Sequence, residues 1–275
     1  MTFMTVSDRE DGRVGVVGFD AFGQLTAGLV RPYHEVAVYG PDAGRKVDAE
    51  RVGAKFLPLA EVAGCRIVVL AVPVASVAEV VRRIAPMLRP GALVLDVGSV
   101  KVLPAAVILR ELPEHVDIIA THPLFGPQSA RRGLVGARIV LCPVRGRYGH
   151  LALFLRRELG LRVIVTSPEG HDREMAVTQG LTHWLARALV GMEASEPALS
   201  GRLTTASFDL IREAVGMVRY DSPAVYEAIG ALNPFAAEVR RDFMNAAAVL
   251  DRELEARAGL AGIREEDAEP AGVCP

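Results

Sequence analysis

The sequence predicts an α/β fold: a doubly wound, mostly parallel sheet followed by an all-helical domain. Three observations carry this reading. Short apolar runs alternate with amphipathic stretches through the first half of the chain. Those runs are continuously apolar, as strands covered on both faces must be. Beyond Ser167 the strand-like runs stop and only helical patterns remain.

The strand candidates come in order. Arg13-Val-Gly-Val-Val-Gly18 is the first, and 35–39, 67–72, 93–97, 117–121, 138–142 and 162–166 follow. Helical stretches lie between them, the clearest over about residues 76–88. Ser76 and Glu79 have the spacing of a capping box, and Val77, Val80, Val81, Ile84 and Leu88 form one face. Pro90-Gly91 ends it. Such alternation predicts a doubly wound domain over residues 13–166, after an N-terminal extension, 1–12. Ser167-Pro168-Glu169 then opens a helix with a hydroxyl cap, a proline at the first helical position and an acid in the first turn. Segments 168–192, 198–218, 223–232 and 234–258 read as helices of a second domain, 167–260. Residues 261–275 are acidic, then rich in proline and glycine, and read as a loose tail.

Composition narrows the function. Hydrophobic residues make up 51% and charged residues 23%, values that allow a packed core and exclude a disordered chain. A net charge of -2 gives no field to draw nucleic acid or an anionic membrane, and the arginines are scattered. Cys65, Cys142 and Cys274 are odd in number and widely spaced, which argues against a disulfide framework or a zinc site. No metal is expected. The first dozen residues lack an apolar segment, and the apolar stretch 67–81 is broken by Pro73, Ser76 and Glu79. A cytoplasmic protein is expected.

The first strand leads into Gly18-Phe19-Asp20-Ala21-Phe22-Gly23. Strand, turn and helix are in the order that a dinucleotide fingerprint requires, but Asp20 stands where its middle glycine would be. There the backbone approaches the pyrophosphate most closely. A carboxylate at ~4.5 Å, with an effective dielectric of ~20, repels each phosphate charge by on the order of 3–4 kcal/mol before screening. The alternative is a surface turn that holds no phosphate. At the end of the second strand, Tyr39-Gly40 puts glycine where an acid would hold the adenosine ribose, and Asp42 comes two residues late. Arg45 and Lys46 could meet a 2′-phosphate, or merely solvate a helix face. The cofactor is therefore NAD or NADP. Ala71-Val72-Pro73, ending the third strand, completes the candidate cofactor contacts.

Two more strand ends carry chemistry. Asp96-Val-Gly-Ser99-Val-Lys101 ends the fourth expected strand, and Thr121-His-Pro-Leu-Phe-Gly-Pro-Gln-Ser129 the fifth. Open α/β sheets bind ligands at these ends. His122, fixed between a strand and a proline, is placed as a proton acceptor, with Ser99 on the adjacent strand end.

Together with Glu169-Gly-His-Asp172 and Thr178-Gln-Gly-Leu-Thr-His183, these segments resemble the prephenate/arogenate dehydrogenases of tyrosine biosynthesis, most closely the short arogenate type. The resemblance runs from about residue 13 to 254. It implies an N-terminal Rossmann domain and a C-terminal helical domain that forms a homodimer. It also implies oxidative decarboxylation of a cyclohexadienyl substrate: hydride to the nicotinamide, the hydroxyl proton to the protein, and carbon dioxide lost as the ring becomes aromatic. By the resemblance, His122 takes the proton, Ser99 hydrogen-bonds the same oxygen, and His183 positions the substrate. Gln179, four residues before His183, shares its helix face. His171 is about 120° away around the helix and is assigned, with Asp172, to interdomain packing or capping. Substrate carboxylates need cationic or amide partners, for which Gln128, Ser129, Arg131 and Arg132 are candidates; Thr121 is a further candidate substrate contact. Some prephenate-specific relatives use an arginine near the stretch 207–212; its uncertain register here favours arogenate, or both substrates. Two alternatives remain: a ligand-binding or regulatory dimer with a degenerate cofactor loop, and a dehydrogenase acting on another hydroxy or amino analogue.

Overall fold

The computed structural model describes residues 12–131, 133–192, 203–219 and 221–260. Most of the N-terminal extension, the tail, Arg132, Cys274 and the start of the helix expected from 198 lie outside these residues.

Eight strands form one sheet in the order β3-β2-β1-β4-β5-β6-β7-β8. They are β1 (Val14–Val17), β2 (Val36–Tyr39), β3 (Lys55–Phe56), β4 (Ile67–Leu70), β5 (Leu93–Asp96), β6 (Asp117–Pro123), β7 (Arg138–Arg145) and β8 (Arg162–Val165). The seven expected runs all form strands. The additional strand, β3, has two residues, too few to show a period. The strand order reverses between β1 and β4, leaving a crevice at their C-terminal ends. Pairing is parallel except between β6 and β7. The chain leaves β6 through α6 (Pro127–Ala130) and a loop at the same end of the sheet, so β7 returns antiparallel. Its apolar run, Ile139 to Cys142, looks like a parallel strand because it too is buried on both faces.

Within the apolar strands, alternate residues feed two separate cores. Val14, Val16, Val36, Val38, Ile67, Val69 and Leu95 face α1 (Ala21–Val30), α2 (Lys46–Arg51) and α7 (Gly149–Arg157). Val17, Ala37, Val68, Leu70 and Val94 face α3 (Leu59–Ala63), α4 (Val77–Ile84) and α5 (Val102–Glu111). Gly15 permits this second layer, because a Cβ there would lie 2.2 Å from the Val62 carbonyl oxygen. The helix expected over 76–88 is segmented. Pro73 starts a 3-10 turn at Val74, so Ser76 already lies inside helical backbone and its hydroxyl makes no cap. The expected capping box does not form.

From α8 onward the elements among the described residues are helical. Ser167 Oγ accepts from Gly170 N at 3.0 Å and caps α8 (Pro168–Met175). A π-helical turn, Ala176–Gly180, joins α8 to α9 (Leu181–Met192). Thr205 caps α10 (Ala206–Val218). Ser222 caps α11 (Pro223–Glu227), which runs through a second π turn, Ala228–Leu232. The last helix is α12 (Ala236–Leu260). π turns inside α-helices concentrate at functional sites, because the extra residue turns the following side chains to a new face.

Candidate active site

The crevice at the crest of the sheet is framed by three strand ends. The first is the turn after β1. Gly18 has φ +98°, and a Cβ there would lie 2.1 Å from the Ala71 carbonyl oxygen. A Cβ on Gly23 would lie 2.1 Å from the Gly18 oxygen. Both outer glycines of the dinucleotide turn are thus sterically required. Asp20 is exposed, and its Oδ1 accepts from Phe22 N at 3.2 Å and Gly23 N at 3.3 Å. These amides, at the positive end of α1, are what a pyrophosphate oxygen would use. The site is shaped for an anion, and its own side chain is that anion.

The neighbouring candidates divide. Ala21 is exposed and Phe22 half-buried beside Thr26, whereas Phe19 is core, edge-on to Phe56 with ring centres 6.5 Å apart. Phe19 therefore offers only its backbone. Tyr39 is half-buried, and Gly40 is buried, where a Cβ would sit 3.4 Å from that of Phe19, an ordinary contact. Arg45 lies between Asp42 (3.9 Å) and Asp48 (3.7 Å) and would have to leave both to meet a 2′-phosphate. Ala71 is buried, Val72 half-buried and Pro73 exposed.

The ends of β5 and β6 form a polar platform. Lys101 is fully buried, and its Nζ bonds Asp96 Oδ2 and, at 2.7 Å, the Thr121 carbonyl oxygen. Thr121 Oγ1 donates to the Asp96 carbonyl at 2.6 Å, so the hydroxyl proposed for substrate ties strands together instead. Ser99 is half-buried in the loop between Asp96 and Lys101. Breaking a buried ion pair by removing one partner costs about 3–5 kcal/mol, so this platform is rigid.

His122, 4% exposed, joins this platform to the helical domain. Its Nδ1 is 2.8 Å from His171 Nε2, and His171 Nδ1 is 2.7 Å from Asp172 Oδ1. Asp172 also accepts from Lys101 N (2.8 Å) and Val102 N (2.9 Å), capping α5 from 70 or more residues away. Asn233 Nδ2 donates to the Asp172 carbonyl at 2.8 Å. A carboxylate can only accept, so His171 Nδ1 carries a proton; with the His171 ring neutral, its Nε2 accepts from His122 Nδ1–H. The lone pair of His122 then lies on Nε2. Burial, then the His171 ring and the Lys101 cation, hold His122 well below the usual histidine range, so the ring stays neutral.

His171, assigned with Asp172 to interdomain packing or capping, meets His122 between the two domains, and Asp172 caps α5. His171 and His183 go to different partners. His183 Nδ1 donates to the Gln179 carbonyl at 2.8 Å, and its Nε2 meets Asp221 Oδ2 at 3.0 Å. Gln179 Oε1 is buried without a hydrogen-bond partner among the described residues. Gln128, Ser129 and Arg131 are exposed, and Ser129 Oγ is occupied with Gly126 N at 2.9 Å. Arg212 is exposed on α10 beside Asp209 (3.9 Å). Sequence reasoning passed over Lys101, Asp96, His171 and Asp172 as a set. The Glu169-Gly-His-Asp172 segment was the available signal, but its partner lay 49 residues away in sequence.

Cys142 pairs with Ala120 across β6 and β7, and burial pushes its thiol up to about 12. Burial also raises Cys65. Iodoacetamide at neutral pH is expected to leave both unmodified in the folded protein. Mass spectrometry checks this, and rapid alkylation of either would contradict it.

These features define a class: a dinucleotide-type α/β domain whose strand-end histidine is wired into a helical domain. The chain belongs to the prephenate dehydrogenase family. Residues 26–159 match the model of its nucleotide-binding domain, and residues 167–262 that of its dimerization domain. The first match begins after the Asp20 turn. A probable arogenate/prephenate dehydrogenase of Methanocaldococcus jannaschii is 31% identical over 190 residues, 65% of this chain and 41% of that protein. The chloroplastic arogenate dehydrogenase 2 of Arabidopsis thaliana is 30% identical over 241 residues, 82% of this chain and 65% of that one. The chain thus spans less than two thirds of these curated relatives. Among solved structures, prephenate dehydrogenase from A. aeolicus, in complex with hydroxyphenyl propionate and NAD+, shares the fold with a TM-score of 0.71 at 21% identity, covering 90% of this chain and 92% of that one.

Proposed function

We propose that this chain is an NAD(P)-dependent dehydrogenase that oxidatively decarboxylates arogenate, prephenate or both. The observation that carries the reading is the His122–His171–Asp172 chain, which presents a neutral imidazole at the crest of the sheet, on the strand next to the one that leads to Ser99. A nicotinamide cofactor supplies the hydride acceptor; Gly18, the α1 amides and Ala71–Val72 are the residues that would hold it. His122 Nε2 accepts the hydroxyl proton as the ring carbon becomes a carbonyl. The imidazolium so formed keeps its Nδ1–H on His171, whose own Nδ1–H is held by the Asp172 carboxylate, so the growing positive charge faces a fixed negative one. Ser99 bonds the same substrate oxygen. Carbon dioxide loss and aromatisation follow from the substrate's own chemistry.

His183 and Gln179 position the substrate from the helical domain. Both substrates carry two carboxylates, but the prephenate side chain lacks the ammonium of arogenate, and the exposed Arg212 gives it no buried cation, which favours arogenate at least equally. Leu210 and Met217 on α10, and Met244, Leu250 and Leu254 on α12, are more than half exposed, the apolar surface of a homodimer through the dimerization domain. Sedimentation of the full chain tests the dimer.

The direct test is cofactor reduction by purified protein with NAD or NADP and arogenate or prephenate. Reduction with neither substrate would sink the reading and favour the ligand-binding dimer to which Asp20 points. A third arm uses 4-amino-4-deoxyprephenate, because a relative from Streptomyces pristinaespiralis, 30% identical over 176 residues, is named for that substrate. The pH dependence follows from His122. The base must be neutral to work, and its pKa lies well below 6.5, so kcat/KM should stay level from neutrality to below pH 6.5 and fall only in more acid solution. An acid limb at or above pH 6.5 would show that another group is the base.

A further inference from the structure

We infer that Lys101 is a positioning residue for His122, clasping the strand ends of the active site to each other and to the helical domain. The inference rests on the dehydrogenase reading for its kinetic arm. Three contacts carry it. The Lys101 ammonium reaches Asp96 at the end of β5, the strand that leads to Ser99. The same ammonium holds the Thr121 carbonyl at 2.7 Å, in the peptide that joins Thr121 to His122. The Lys101 backbone N–H donates at 2.8 Å to Asp172 Oδ1, the oxygen that also takes the His171 proton. One residue therefore fixes where the Ser99 loop, the His122 ring and the His171–Asp172 pair stand relative to one another.

A purely structural role would not call for a cation. A buried ion pair is costly to desolvate, and an apolar pair of similar volume often serves a fold as well or better. Here the charge has a further use. The titratable groups that act on His122 are His171 from α8 and Lys101 after β5; Asp172 holds His171 in turn, Asp96 from β5 holds Lys101, and Glu169 is solvated at the start of α8. Both fixed charges act throughout: the Lys101 ammonium lowers the proton affinity of His122, and the Asp172 carboxylate, reached through His171, offsets part of that. The base is kept free at rest without being made too weak to work.

The test uses Lys101→Met, and Asp96→Asn/Lys101→Met in case the lone buried carboxylate of the first prevents folding. Each is examined by thermal melting, by NMR titration of labelled histidines, with the His122 signal assigned from its loss in His122→Asn, and by kinetics with NAD(P) and arogenate or prephenate. The expected result is a cooperative melt in at least the double variant. The His122 midpoint should then move up by about half a pH unit or more, and kcat should fall about tenfold or more while cofactor Kd stays within about twofold. A folded variant with an unmoved His122 midpoint, or with near-wild-type kcat, would overturn the inference. So would failure of both variants to fold, which would make Lys101 a stability residue. Wild-type protein inactive on every substrate would instead sink the dehydrogenase reading, while the NMR midpoint would still report on Lys101.

Discussion

His122→Asn is expected to lower kcat by about 10²–10⁴-fold, the usual worth of a positioned general base. Cofactor affinity should change by less than about twofold, because the imidazole is not among the groups that would hold a dinucleotide. Asparagine suits the test. Its amide can still donate to His171 Nε2, which now lies 2.8 Å from His122 Nδ1, so the contact between the domains is kept. What is lost is the basic lone pair on Nε2. Steady-state kinetics and a separate binding titration measure the two effects. Equal loss in both would show that His122 holds the fold and does not take the proton. A residual rate with a level pH profile would fit direct proton loss to water, since the variant has no titrating base at that position.

Asp20→Gly is expected to tighten NAD or NADP binding by about tenfold or more, the reverse of the usual outcome at a ligand site. The carboxylate now accepts from Phe22 N and Gly23 N, the two donors that a pyrophosphate would seek. Its removal frees both donors and deletes a like charge. The cost to the fold is small, because glycine is itself a tolerated N-cap and the loss is only a few tenths of a kcal/mol. Tm should therefore barely move while Kd falls. The gain should shrink at high ionic strength, because the deleted repulsion is between partly solvated charges. Unchanged affinity at low salt would mean that Asp20 swings aside freely or that the cofactor does not use these amides. Calorimetry on unreacted protein separates this from any effect on turnover.

Much of the scaffold could be read directly. Seven strands announced themselves because a strand covered on both faces must be apolar at every position, and that leaves an unmistakable run. The serine at 167 announced the helical half because a cap followed by proline has few other uses. The failures have equally local causes. Ser76 looked like a cap, but Pro73 had already turned the chain. β7 looked parallel because burial on both faces, not strand direction, makes a run apolar. β3 was too short to leave a pattern.

The sequence by itself determined the layers of the fold, the strand ends that carry its candidate chemistry, and two residues, Asp20 and His122, that any account of function must answer. Local chemistry suffices for these, since periodicity, capping and turn geometry act over a few neighbouring residues. Only the tertiary structure decided what those residues do. It turned Asp20 from a repelling charge into the occupant of its own helix terminus. It also gave His122 a partner 49 positions away and joined Lys101 to Asp172 between the two domains. Contacts of that kind depend on how sheet and helices dock, and the residues they join leave no periodic trace in the chain.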